Sequence, residues 1–157
     1  MHLIFSLIIV LSVPLTGMGT QFLVLPSSAE ELSMGSHATL PGLFSVNPAL
    51  FSAPKKYPHF SIDRGTWLGD VTLNHLGYNQ NSGNRTTHFG IKYSGLTDLE
   101  FRQESPQDDA SSRFSAYGLA IDGGASISRE NQKFGFSISY INFGLYTESS
   151  SGIALNL

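Results

Sequence analysis

Beyond Pro58 the chain alternates apolar and polar residues with a period of two, the spacing that places successive side chains on opposite faces of a β-strand. From 86 to 94, Thr87, Phe89, Ile91 and Tyr93 oppose Thr86, His88, Gly90, Lys92 and Ser94. From 113 to 128, Tyr117, Leu119, Ile121, Ala125 and Ile127 oppose Ala116, Gly118, Ala120, Asp122, Gly124 and Ser126. From 134 to 140, Phe134, Phe136, Ile138 and Tyr140 oppose Gly135, Ser137 and Ser139; the apolar phase then switches to Ile141, Phe143 and Leu145, which predicts a bulge or a strand end. A further strand is expected around 67–73, with Trp67, Gly69, Val71 and Leu73 on one face and Leu68, Asp70, Thr72 and Asn74 on the other. Asn81-Ser-Gly-Asn84 and Arg129-Glu-Asn-Gln132 are short and turn-like, whereas 103–112 is longer and strongly polar.

The polar face of these strands carries Ser, Gly, Thr and Asn where a soluble sandwich or lipocalin-like barrel collects Lys and Glu. Composition agrees: 41% of residues are hydrophobic and 13% charged, the latter about half the roughly 25% usual for soluble domains. Each alternating segment runs about ten residues, close to the ~9–11 of a tilted membrane-crossing strand. The expected fold is therefore all-β, an antiparallel transmembrane β-barrel over 58–157, with six or seven strands where a bacterial barrel needs at least about eight. Trp67, Tyr78, Tyr93 and Tyr117 fall near segment ends and are expected as interfacial aromatics against outer-membrane lipid. Asp70, His88, Lys92 and Asp122 are expected to face the lumen, hydrating it and contacting whatever fills it.

Leu3 to Val13 is an apolar run of signal-peptide length, too short to span a bilayer as a helix. Gly17 and Gly19 suit cleavage after Gly19, although the run is preceded by His2 and no Lys or Arg. Residues 20–57 follow as a segment interrupted by Pro26, Pro41, Pro48 and Pro54, which rule out a long helix or strand. One brief helical turn is expected after Ser27 or Ser28, whose hydroxyl can cap a turn opening with Glu30 and Glu31. Leu40, Leu43, Phe44, Val46, Leu50 and Phe51 need an enclosure, and irregular backbone at membrane depth is tolerated only inside protein.

Phe22-Leu-Val-Leu-Pro-Ser-Ser-Ala29, Leu32-Ser-Met-Gly35 and the Asn-Pro-Ala of Val46-Asn-Pro-Ala-Leu50 together resemble the opening of the PorV/PorQ family of outer-membrane barrels, themselves distantly similar to FadL-type transporters. The resemblance implies that 20–57 folds inside the barrel as a plug with Asn47, Pro48 and Ala49 as its motif. It implies an exported protein of a Gram-negative-type envelope that works in type IX secretion or surface attachment through secretion-system or surface proteins. His37-Ala-Thr-Leu-Pro41 departs from the family's more Gly/Ala- and acid-rich stretch. Family members are longer, and this chain stops at Ser151 to Leu157 inside what reads as a new strand, so an N-terminal fragment is expected. Two other functions stay open: a FadL-like transporter that takes a hydrophobic small molecule, and a soluble secreted binding module.

Chemistry is sparse. No cysteine is present, which removes thiol catalysis and thiolate metal sites. His2, His37, His59, His75 and His88 contain no i,i+4 zinc pair with an accompanying Glu, so isolated turn or lumen histidines are expected. Asp108 and Asp109 lack the oxygen ladder of a calcium loop, and Gly123-Gly124 lacks the Lys-Ser/Thr of a phosphate loop. There is no Gly-x-Ser-x-Gly elbow. A net charge of −3 without a basic stripe argues against nucleic acid. No catalytic residue, metal or cofactor is expected.

Overall fold

The computed structural model describes residues 21–26, 28–33, 47–50, 58–67, 69–101, 112–130 and 132–157. The expected signal peptide, most of the 20–57 segment and the polar stretch 103–111 lie outside them. Among the described residues are six strands: β1 (His59–Trp67), β2 (Val71–Ser82), β3 (Arg85–Phe101), β4 (Ser112–Arg129), β5 (Gln132–Leu145) and β6 (Glu148–Asn156). They form one open antiparallel sheet in sequence order, with β1 and β6 at its edges. Among the described residues before it are three short helical pieces: 3-10 turns at Gln21–Val24 and Pro48–Leu50, and helix α1 (Ala29–Ser33). Ser28 caps α1 as its position predicts, its Oγ accepting from Glu31 N at 3.1 Å.

Two expectations are corrected. The stretch 67–73 is not one strand: the chain reverses there, and Gly69 and Asp70 both take left-handed backbone (φ 74° and 62°) so that Trp67 pairs with Val71. A two-sided alternation survives a tight reversal because the paired residues share a face, which is why the pattern reads through it. Asp70 consequently sits exposed in the turn and not among the polar residues of the sheet. The apolar switch at Ile141 is likewise neither a bulge nor an end, because β5 stays in register with β4 from Arg129↔Gln132 to Ala116↔Leu145. Only the identity of the face changes. The irregularity falls instead in β3, between Leu96 and Leu99, where Asp98 has φ 59°.

The register lines up whole rows of one face. Phe60, Tyr78, Phe89, Gly123, Ile138 and Leu155 are successive partners from β1 to β6, and so are Ile62, Leu76, Ile91, Ile121, Tyr140 and Ile153. Both rows are apolar at every strand, and their large side chains face outward: Ile62 is 80% exposed, Phe60 69% and Ile153 72%. The opposite face is the covered one and it is polar. His75, Asn79, His88, Lys92 and Asp122 are buried on it, whereas the fully buried hydrophobics among the described residues are only Phe22, Leu73 and Ala120. This reverses the usual arrangement of a soluble sheet, in which apolar burial drives folding.

The N-terminal turns supply part of the cover. Phe22 is buried against Gly118, where a Cβ would fall 2.4 Å from its ring, and Pro48–Ala49 lies on Gly135, where a Cβ would fall 2.3 Å from Pro48 carbonyl carbon. Gly135 pairs with Ser126. The two contacts are thus separated by the distance from Gly118 to Ser126, about 27 Å of strand.

Candidate functional site

The covered face divides along the strands. Over four rows it is polar, from Asn81, Thr86, Ser126 and Gly135 up to Asp63, His75, Lys92 and Ala120. Over the two rows nearest the β1–β2 and β5–β6 turns it becomes apolar, with Leu73, Leu96, Phe143 and Leu145. The polar part contains two His–Asp pairs. His75 Nδ1 lies 3.1 Å from Asp63 Oδ2, across β1 and β2. His88 Nδ1 lies 2.6 Å from Asn79 Oδ1, and its Nε2 lies 2.7 Å from Asp122 Oδ2, so this imidazole bridges β2 and β4 from its place on β3. Lys92, between the two pairs, donates from Nζ to Leu23 O at 3.0 Å and also to Leu25 O. A buried ammonium tolerates this position because carbonyl dipoles and the nearby carboxylates replace its water.

Of the four polar residues expected together, the structure therefore brings His88, Lys92 and Asp122 to one buried cluster and leaves Asp70 in a turn. Asp63, His75 and Asn79 belong to the same cluster and were not singled out from sequence. Their signal was present in the alternation His59, Ser61, Asp63 against Phe60, Ile62, Arg64, but the small size of the segment and the hidden reversal after Trp67 obscured it. Asn47 is exposed and opens the Pro48–Leu50 turn, accepting from Ala49 N at Oδ1 (3.0 Å) and from Leu50 N at its carbonyl (2.9 Å). Pro48 is buried and Ala49 half-buried.

The aromatics separate as well. Tyr78, Tyr93 and Tyr117 are on the apolar, outward face; Tyr93 lies over Gly95 and Tyr117 over Gly144. Tyr78 packs on Phe60 at a 4.7 Å ring separation and donates to Gln80 Oε1 at 2.9 Å. Trp67 does not join them, since it shares the parity of Asp63 and lines a small 210 Å³ cleft with Pro26, Ala29 and Leu32 on the covered side.

Where the covered face turns apolar, a cavity of about 710 Å³ opens between the Gln21–Val24 turn and the ends of β3 to β6. Phe22, Leu25, Leu96, Phe143 and Leu145 contribute its apolar walls and Ala116 and Gly118 its floor, with Ser94, Glu148 and Ser150 at the polar side. Among the described residues, no group of three or more His, Cys, Asp or Glu is placed to hold a metal ion, and no helix is long and apolar enough to cross a membrane; the latter has no bearing on strands.

Compared with protein-family models, curated proteins and solved structures, the chain matches none.

Proposed function

We propose that this sheet is the wall of an outer-membrane β-barrel, its apolar face against lipid and its polar face towards a lumen occupied by the 20–57 segment as a plug. The inverted polarity carries the reading: two uninterrupted apolar rows point outward across all six strands while Lys92, His75 and the His88–Asp122 pair are buried on the other face, with Asp63 half-buried beside His75. In water such rows would cost roughly 25 cal/mol per Å² of exposed apolar area, a cost that lipid removes. β4 fits a bilayer by length. Its outward residues run Arg113, Ser115, Tyr117, Leu119, Ile121, Gly123, Ala125, Ile127, Arg129, and the apolar stretch from Tyr117 to Ile127 is about 34 Å of strand, or about 24 Å tilted at 45°, against an apolar band about 25 Å tall. An arginine stands beyond each end, where its guanidinium reaches water and headgroups.

The turns support an orientation. At one end of the sheet every connection, Gly83–Asn84 and Glu130–Asn131, is short, whereas the other end has the long 102–111 connection besides the short 68–70 and 146–147 turns. Short turns are periplasmic and long loops external in such barrels. The six strands among the described residues are fewer than the about eight of the smallest barrels, and a closed wall requires the edges of β1 and β6 to be paired by others. The similarity of 22–51 to PorV/PorQ barrels supports a role in secretion or surface attachment through protein partners.

The chain's lack of cysteine makes the test direct. In outer membranes of a Gram-negative host producing the full chain, Ile121→Cys and Ile138→Cys should resist a membrane-impermeant maleimide while Arg113→Cys, at the end that carries the long connection, reacts. Equal labelling at the three positions, or recovery of the protein in the soluble periplasm, would refute the membrane reading.

A further inference from the structure

We infer that the 710 Å³ cavity at the turn end of the covered face binds a single-chain amphiphile with a neutral or amine head, and that Glu148 discriminates against carboxylate heads. This goes beyond the membrane reading, which needs no ligand.

The covered face is polar until its last two rows, and the sheet's own pairing does not require the change. The residues that make it, Leu96 on β3 and Phe143 and Leu145 on β5, surround space, with Phe22 and Leu25 of the N-terminal turn opposite them. A volume of about 710 Å³ lies within the roughly 300–1,000 Å³ of small-molecule sites, and an apolar wall with a few polar groups at one side is their usual construction. The floor is kept low by Ala116 and Gly118.

The head is selected by charge. Among the described residues lining the cavity, Glu148 is the one ionisable acid or base of Asp, Glu, His, Lys or Arg type. It begins β6 opposite Leu145. The nearest buried cation, Lys92, is engaged with the carbonyls of Leu23 and Leu25. A carboxylate-headed chain would therefore bring a second negative charge beside Glu148 with no cation among the described lining residues to offset either, whereas an ammonium would be attracted and an alcohol could bond Ser94 or Ser150.

The test uses the full chain folded in amphipol at neutral pH, with the neutral dye N-phenyl-1-naphthylamine as reporter and dodecylamine, dodecanol and dodecanoate as competitors. Dodecylamine and dodecanol should displace the dye at concentrations about tenfold lower than dodecanoate. Glu148→Gln, at an exposed strand start, should abolish the advantage of the amine over the alcohol and bring dodecanoate within about threefold of both. Ala116→Trp should fill the cavity and remove the dye signal. Equal displacement by the three compounds, a ranking unchanged in Glu148→Gln, or absence of dye binding to the unaltered chain would overturn the proposal. Normal maleimide protection at Ile121→Cys in the same preparation would show that the membrane reading survives such a failure.

Discussion

Lys92 Nζ on β3 donates to the carbonyl oxygen of Leu23 at 3.0 Å, joining residues 69 positions apart and holding the first 3-10 turn onto the sheet. The ammonium and the turn depend on each other. Without the carbonyls the charge would be buried with fewer partners, and without the charge the turn would lose its hydrogen-bonded tie to β3. Lys92→Met should therefore free the N-terminal turn, at a cost of about 1.5–3 kcal/mol for a charged hydrogen bond lost. Limited proteolysis should show faster cleavage before Pro26 than in the unaltered chain, and Lys92→Arg should restore part of the protection.

The glycines under the segment offer a steric test of the same docking. Gly118→Ala should clash with the Phe22 ring and Gly135→Ala with the backbone of Pro48 and Ala49, whereas Gly123→Ala meets nothing nearer than 3.7 Å. Overpacking of this kind costs typically about 1–3 kcal/mol. Urea midpoints should fall for the first two, more for Gly135→Ala because backbone cannot rotate aside, and stay within about 0.5 kcal/mol for the third. Phe22→Ala should rescue Gly118→Ala and leave Gly135→Ala unchanged.

Breaking one partner of a buried pair leaves the other uncompensated. Asp122→Ala, which strands His88 between Asn79 and an apolar gap, should cost about 3–5 kcal/mol, while the double variant His88→Ala/Asp122→Ala should cost less than the sum of the single changes. A double-mutant cycle on equilibrium unfolding measures the coupling. Additivity would mean that the 2.7 Å contact contributes nothing.

On the outward face a charge should be penalised even at an exposed position. Ile138 is 49% exposed and belongs to a fully apolar row. Ile138→Arg should lower stability in bilayers by about 2–4 kcal/mol, as expected for a charge near the bilayer midplane, and Ser149→Arg at the strand end by about 0–1 kcal/mol. The comparison is made by urea-driven unfolding in vesicles, and equal effects at the two sites would contradict a lipid-facing row.

Much of the sheet could be read from alternation alone. In β3, in β4 and in β5 up to Tyr140, the residues expected on each face are the ones found there, because a half-buried strand records its two environments directly in its period. His88, Lys92 and Asp122 came together for that reason. Asp70 did not, because the left-handed pair Gly69–Asp70 reverses the chain; Gly-Asp is a turn dipeptide, but the two-residue alternation that continues from Trp67 to Leu73 masks it. Asp63 and His75 form a pair only after that reversal places β1 beside β2, so their 3.1 Å contact could not be read from either strand.

The chain's own order of residues determined the antiparallel strands, their short turns and the sorting of side chains into an apolar and a polar set, since these depend on neighbours within a few positions. Tertiary structure decided which set is covered. Alternation is symmetric between faces, and the choice rests on contacts of long sequence separation: Phe22 on Gly118, Pro48 on Gly135 and Lys92 beneath Leu23. It also decided that Ile141, Phe143 and Leu145 turn towards the covered side, where unbroken register, and not a bulge, places an apolar cavity at the end of a polar face.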